Sequence, residues 1–209
     1  MLRFIALAAL ACACTAQTTA PPQGRAGAVR VEGRAFADAG GQWNPLGATL
    51  FWALWGERHD PERLDANLAY LAARRVDYIR ILGMVGSESW TDRAIDPEAP
   101  DYWAVADRLF ERLARHRLRA QITIFADAGD AMPDGTSRQR FAAAWADYAT
   151  RHRDRVLFIE IANEYWQNGF GGPDGIAQLR ALGVQVAAAT PIPVALSSAT
   201  SEPGDWCRL

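Results

Sequence analysis

Residues 156–166 read VLFIEIANEYW, and this stretch carries the clearest structural signal in the chain. It begins with an almost continuous apolar run, which is typical of a strand in a parallel sheet that helices cover on both faces. The run ends in Asn163 and Glu164, an amide beside a carboxylate, and two aromatic residues follow. Functional groups of parallel α/β proteins collect at the carboxyl ends of strands, so we expect the chemistry of this protein here.

The same order of strand and helix recurs on both sides of this stretch. We predict strands at residues 46–54, 76–85, 118–126, 156–162 and 193–197. The first helix is predicted to open at Asp60-Pro61, a suitable N-cap and first residue, and later helices to cover residues 102–115, 137–151 and 175–189. Residues 29–36 alternate and Gly40-Gly41 supplies a turn, which predicts a small N-terminal β-hairpin.

This alternation of strands and helices indicates an α/β fold, either an open doubly wound sheet or a barrel. The first strand lacks the Gly-x-Gly-x-x-Gly turn of dinucleotide-binding sheets, which weakens a nucleotide-binding interpretation. If the sheet closes into a barrel, the hairpin is expected at its floor.

The N-terminus has the order of a secretion signal. Residues 1–3 include Arg3, residues 4–13 are apolar, and polar residues with Pro21-Pro22 follow. A run of about 10 apolar residues is too short to span a bilayer, which needs roughly 20. We therefore predict a signal peptide in residues 1–16, a linker in residues 17–28, and a protein that is secreted, periplasmic or anchored by lipid to the cell envelope.

Cys12 leaves two processing routes open. It follows Ala9-Leu10-Ala11, which resembles a bacterial lipobox with Ala where a branched apolar residue is usual. Lipidation of Cys12 would anchor the protein to a membrane. The alternative is plain cleavage at the small residues around Cys12.

The composition excludes several other classes of protein. The chain has 22 Lys and Arg against 24 Asp and Glu, a net charge of −2, and no basic run, so nucleic-acid binding is not expected. The three His are scattered, and we predict neither a metal site nor a cofactor. A Gly-x-Ser-x-Gly nucleophile elbow and a Walker phosphate loop are both absent from the sequence.

Glu164 and Asn163 are residue types that can catalyse a reaction on a sugar. A carboxyl group beside a scissile oxygen can donate a proton, and a neighbouring amide can orient a sugar hydroxyl. The alternative is that Glu164 only caps the following loop. Aromatic residues near the strand ends are candidates for stacking on sugar rings, although core packing is the usual fate of Trp; these candidates are Trp52, Trp55, Trp90, Tyr165 and Trp166.

At these residues the sequence resembles the family-five, cellulase-like glycoside hydrolases of clan A, whose fourth strand ends in Asn-Glu. Residues 78–81, YIRI, are similar to the second-strand segment that bears an active-site Arg, and residues 121–127, QITIFAD, are similar to the third strand. The resemblance covers about residues 29–200. It implies a TIM (β/α)8 barrel, a saccharide substrate with a β-linkage, and a retaining two-carboxylate mechanism with Glu164 as general acid/base.

The resemblance also suggests roles for Arg80 and Asp127. Arg80 would hold the nucleophilic carboxylate, and the alternative is a core ion pair with Glu160 or Asp127. Asp127 lies where the family often presents a His or Asp to substrate. Residues 127–135 are rich in turn formers, however, so a loop-capping role competes.

The family's nucleophile lies at the end of the seventh strand, whereas the predicted strands here stop at the fifth. A full barrel takes about 250 residues. We therefore expect residues 29–209 to form a partial TIM barrel of about four βα units plus a fifth strand, without the nucleophile. Activity would need a longer form or a second half-barrel partner. The alternative is a catalytically inactive secreted module that binds carbohydrate, or a fragment without function.

Overall fold

The computed structural model describes residues 25–86, 90 and 92–197. The predicted signal peptide, Cys12 and most of the predicted linker lie outside these residues, so those predictions stay predictions. In the part of the chain that is described, no helix is long and apolar enough to cross a membrane.

The described chain contains two sheets. The first is antiparallel and has three strands, in the order β1 (Arg30–Glu32), β2 (Ala35–Asp38) and β3 (Gly41–Trp43). The second is parallel and has five strands, in the order β4 (Gly47–Thr49), β5 (Tyr78–Leu82), β6 (Arg119–Phe125), β7 (Val156–Ala162) and β8 (Val194–Ser197). The helices are α1 (Ala53–His59), α2 (Pro61–Ala73), α3 (Tyr102–His116), α4 (Ala128–Ala131), α5 (Gly135–Arg151) and α6 (Gly172–Ala189).

The order of the parallel strands resolves the choice between a doubly wound sheet and a barrel. Each parallel strand pairs with the next one along the chain, from β4 to β8. A doubly wound sheet reverses its strand order at a switch point, and this sheet does not. The fold is therefore part of a TIM (β/α) barrel, as the sequence predicted.

The first parallel strand was predicted too long. Strand β4 ends at Thr49, the N–H of Leu50 still donates to the carbonyl of Arg80 at 2.9 Å, and helix α1 begins at Ala53. An apolar run by itself cannot distinguish a buried strand from a buried helix. Here Ala53 and Leu54 are buried on the first turn of α1, which packs against α3.

The small antiparallel sheet covers the amino ends of the parallel strands. The predicted hairpin is present as β1 and β2, and β3 adds a third strand. The ring of Phe36 stacks on Phe158 of β7 with 5.8 Å between centroids. The buried carboxylate of Asp38 accepts hydrogen bonds from Arg25 and from Arg119, the first residue of β6. This position is the predicted barrel floor.

Candidate active site

The carboxyl ends of four parallel strands surround a cavity of about 300 Å³. Residues that follow β4, β5, β6 and β7 all contribute to its wall, as expected for a (β/α) barrel. The residues that line it are Phe51, Leu82, Val85, Trp90, Ala126, Asp127, Asn163, Glu164, Gln167 and Asn168. The structure thus brings the predicted Asn163, Glu164, Asp127 and Trp90 together at one site.

Two carboxylate residues at this site have unusual backbone conformations. Glu164 has a φ of 35° and Asp127 a φ of 55°, both in the left-handed region that non-glycine residues avoid. Two other described non-glycine residues with positive φ, Arg75 and Arg117, lie within two residues of the ends of helices α2 and α3, where a left-handed residue is a common helix ending. Glu164 and Asp127 instead follow β7 and β6, and such strain concentrates at functional sites.

Asn168 links the two strained residues. Its side-chain oxygen accepts a hydrogen bond from the backbone N–H of Asp127 at 2.7 Å, and its Nδ2 donates to the carbonyl of Glu164 at 3.1 Å. The residue is buried, with 5% exposure. The sequence interpretation missed it; the available signal was a second Asn, four residues after Glu164, in the segment that follows the strand. Gln167, also missed, donates from its side-chain amide to the carboxylate of Glu164.

Replacing Asn168 with Ala is expected to lower the free energy of unfolding by about 1–3 kcal/mol, since the part-buried N–H of Asp127 loses its acceptor and the carbonyl of Glu164 keeps only the N–H of Gln167 as a donor. Urea unfolding followed by circular dichroism measures this change. Gln167→Ala is the matched control, because this neighbouring amide is exposed and its loss should change stability by less than about 0.5 kcal/mol. Equal effects of the two substitutions would show that Asn168 does not join the two loops.

Arg80 forms a buried ion pair with Glu160 under the cavity. Its Nε donates to the Glu160 carboxylate at 3.0 Å and to the hydroxyl of Thr123 at 3.1 Å, and its Nη2 also contacts Glu160. Thr123 and Gln121 donate to the same carboxylate oxygen, at 2.6 and 3.3 Å. The core ion pair considered as an alternative therefore exists.

The same guanidinium also reaches the site. Nη2 of Arg80 donates to the side-chain oxygen of Asn163 at 3.2 Å. This hydrogen bond fixes the orientation of the Asn163 amide, because only its oxygen can accept from the guanidinium. A second role for Arg80, in holding a nucleophile, stays a prediction.

The side chain of Asp127 does not act as an N-cap for α4, the helix that it precedes. Its side chain makes no capping bond to α4, and its carboxylate accepts instead from the backbone N–H of Gly86, after β5, at 3.2 Å. Asp127 thus connects the ends of two neighbouring strands while it lines the cavity.

The predicted aromatic residues are divided between the site and the rest of the fold. Trp90 lines the cavity beside Phe51, which the sequence interpretation missed, with 6.0 Å between the ring centroids. The other four do not line the cavity that the described residues form. Trp55 belongs to α1 and packs on His59, and the edge of Trp52 meets Trp55.

The aromatic pair after Glu164, Tyr165 and Trp166, does not line this cavity. Tyr165 is buried, and its backbone N–H donates to the hydroxyl of Ser197 in β8 at 3.1 Å. Trp166 packs edge-on against Tyr165 and is 37% exposed. Their predicted contact with a sugar ring is untested.

Among the described residues, no group of three or more His, Cys, Asp or Glu is placed to hold a metal ion.

No protein-family model matches the sequence, and no curated protein sequence matches it. Several solved structures, in contrast, are similar to this chain in fold. A glycoside hydrolase family 5 mannosidase from Rhizomucor miehei superposes with a TM-score of 0.59 and 12% identity, covering 85% of this chain and 57% of the mannosidase. A cellulase matches with a TM-score of 0.56 and 16% identity, covering 82% of this chain and 53% of the cellulase. An exo-β-1,4-mannosidase from Opitutaceae bacterium strain TAV5 matches with a TM-score of 0.54 and 16% identity, over 74% of this chain and 31% of the mannosidase.

These similarities identify the fold. The chain has the barrel fold of family 5 glycoside hydrolases over the part that it spans, which is between about a third and three fifths of the length of these three structures. The resemblance noted in the sequence is confirmed at the level of the fold.

Proposed function

We propose that this chain carries the acid/base half of a glycoside hydrolase site that cleaves the O-glycosidic bond of a β-linked saccharide. The observation that carries the proposal is the position of Glu164. It is the second residue after β7, has a strained left-handed backbone, and lines one cavity together with Asp127, Asn163 and Trp90. Ordinary loop capping does not require that combination.

The proposed reaction is a retaining displacement with two carboxylates. Glu164, when protonated, donates its proton to the leaving glycosidic oxygen while a second carboxylate attacks the anomeric carbon. The resulting glycosyl ester is then hydrolysed by water, from which the Glu164 carboxylate removes the proton. The second carboxylate is proposed to lie about 5 Å from Glu164 on a further barrel strand. The described strands end at β8 and do not include it.

The remaining groups of the cavity are proposed to hold the sugar. The hydrogen bond from Arg80 orients the Asn163 amide, whose Nδ2 donors suit a sugar hydroxyl. Trp90 and Phe51 offer aromatic faces, and the Asp127 carboxylate can accept from hydroxyl groups. The structural neighbours include mannosidases and a cellulase, and one mannosidase structure is a complex with mannosyl-fructose. A β-mannoside or β-glucoside is therefore the proposed substrate.

The cellular setting is also a proposal. Export through the signal in residues 1–16, with or without a lipid on Cys12, would place the site where polymeric saccharides are found. Strands β4 and β8 are the edges of the described parallel sheet, and unpaired edges of this kind are normally covered. Further strands, from a longer chain or from a partner half-barrel, are proposed to cover them and to bring the second carboxylate.

The proposal is tested by hydrolysis assays on the longer or assembled form of the protein, which carries the second carboxylate, with aryl β-mannosides, aryl β-glucosides, β-mannan and β-glucan. We expect release of product above the buffer rate, with a bell-shaped pH profile that reports one acid and one base. Circular dichroism confirms that each sample is folded.

A folded protein that binds these saccharides without cleaving them would favour the second candidate function, a carbohydrate-binding module. The aromatic wall of Trp90 and Phe51 is the observation behind that candidate. A folded protein that neither binds nor cleaves any of them would contradict both.

A further inference from the structure

A second cavity, of about 270 Å³, lies at the opposite end of the parallel strands from the candidate active site. Its wall comes from the end of α3, the residues that lead into β6 and β7, and the segment before β1. The residues that line it are Arg25, Ala26, Gly27, Ala114, Arg117, Leu118, Arg119, Asp154 and Arg155. This basic floor cavity has four guanidinium groups and a single carboxylate in its wall.

The arginines of the basic floor cavity differ in depth. Arg119 is the innermost, with 5% of its side chain exposed, while Arg25 and Arg155 are 25% and 36% exposed. Arg117 lies at the exposed rim. Arg25 and Arg119 share one carboxylate, that of Asp38, and Arg155 contacts Asp154 at 3.3 Å. Arg25 and Arg119 therefore share the single negative charge of Asp38.

One N–H group of Arg119 is buried without a hydrogen-bond acceptor among the described residues. Its Nη2 donates to Asp38 at 2.9 Å, but its buried Nη1 finds no hydrogen-bond partner among the described residues. Burial lowers the pKa of Arg119, although the charge of Asp38 opposes this effect. A buried N–H without an acceptor is costly, and native structures rarely keep one without a reason.

An oxyanion would supply the missing acceptor. Guanidinium groups bind phosphate and sulfate oxygens through paired, charge-assisted hydrogen bonds, and several arginines around one concave site favour a multiply charged anion. Nη1 of Arg119 is closed off from solvent, so the more exposed arginines that line the same cavity would make the first contacts with an anion. The cavity is larger than a bare phosphate ion needs.

We propose that the basic floor cavity is an oxyanion site that binds a phosphate or sulfate group, either free or on the headgroup of an anionic lipid. The lipid source has its own support, because Arg25 follows the candidate lipidation residue Cys12 by 13 residues. Lipidation at Cys12 would tether Arg25 within 13 residues of a membrane surface. The site is separate from the cavity of Glu164, so the proposal does not depend on the proposed hydrolysis.

The test compares two double variants with the same change in charge. Arg117→Ala with Arg155→Ala removes two arginines of the cavity and spares the more buried Arg119. Arg34→Ala with Arg140→Ala removes two exposed arginines elsewhere. The thermal midpoint of the purified protein is measured in sodium phosphate, in sodium sulfate and in sodium chloride at equal ionic strength. Binding to phosphatidylglycerol vesicles and to phosphatidylcholine vesicles is measured by sedimentation.

We expect phosphate or sulfate to raise the midpoint by a few degrees with saturation, because a ligand that binds only the folded state stabilises it. The dissociation constant should rise about tenfold or more in the cavity variant and stay within about twofold in the control variant. Midpoint shifts with the free ions identify a soluble ligand, and binding confined to phosphatidylglycerol vesicles identifies a lipid headgroup. Absence of binding to all the probes, or equal weakening in both variants, would overturn the proposal.

Discussion

Replacing Glu164 with Gln should lower kcat for natural saccharides by about 10²–10⁴-fold in the hydrolysing form of the protein, because an amide cannot donate or remove the required proton. The fold should be unaffected, since Gln keeps the size of the side chain and Glu164 lies at the cavity wall. Steady-state kinetics on β-mannan or β-glucan fragments, with circular dichroism of both proteins, measures this effect.

The leaving group sharpens this test. A dinitrophenyl glycoside needs little protonation of its leaving oxygen, so formation of the glycosyl ester should suffer much less in the variant than it does with a saccharide leaving group. Glu111→Gln, an exposed carboxylate on α3, is the matched control and should leave kcat unchanged. Equal losses for both leaving groups would mean that Glu164 only positions other residues and is not the proton donor.

Replacing Arg138 with Met should lower the free energy of unfolding by about 2–4 kcal/mol, because several buried acceptors lose their donor together. Arg138 is buried in α5, and its Nε and Nη2 donate to the carbonyls of Met132 and Ala128, both at 2.7 Å. Its Nη1 donates to the carbonyl of Gly169 at 2.9 Å and to the side-chain oxygen of Gln178 at 2.6 Å. One side chain thus secures the loops after both β6 and β7.

Urea unfolding of Arg138→Met and of Arg140→Met, an exposed position on the same helix, separates this role from helix propensity. The Arg140 variant should change stability by less than about 0.5 kcal/mol. Arg138→Lys should recover only part of the loss, since a point-like ammonium cannot reproduce the planar fork of a guanidinium. A loss below about 1 kcal/mol in Arg138→Met would mean that the loops do not depend on this residue.

Most secondary structure could be predicted because local signals agreed with one another. Strand β7 has the predicted bounds, and helix α2 begins at Pro61 with Asp60 accepting from the N–H of Arg63, as a capping residue does. Strand β4 shows the limit of such signals. Residues 46–54 are a run of mostly apolar residues, and their last part is helical in the fold, where α1 packs against α2, α3 and β5.

The residues of the candidate site that follow strand ends were predicted. Those whose role comes from side-chain contacts between separate loops of the chain were missed. Asn163, Glu164 and Asp127 lie within two residues of a strand end, so the rule that strand ends carry function located them. Asn168 could not be found in this way, because its role comes from contacts with Glu164 and with Asp127, 41 residues away. Trp52 and Trp55 were placed near a strand end that the structure converts into a turn and a helix.

The sequence by itself determined the alternation of strands and helices, the resemblance to a hydrolase barrel and the position of the acid/base candidate, because these follow from local periodicity, capping residues and a short motif. The tertiary structure alone decided which polar groups meet. It selected Glu160, out of the two partners that the sequence offered, for Arg80, joined the loops after β6 and β7 through Asn168 and Arg138, and collected four arginines at the barrel floor. Those groupings join residues far apart in sequence, and burial makes each unmatched charge or hydrogen bond costly enough to select its partner.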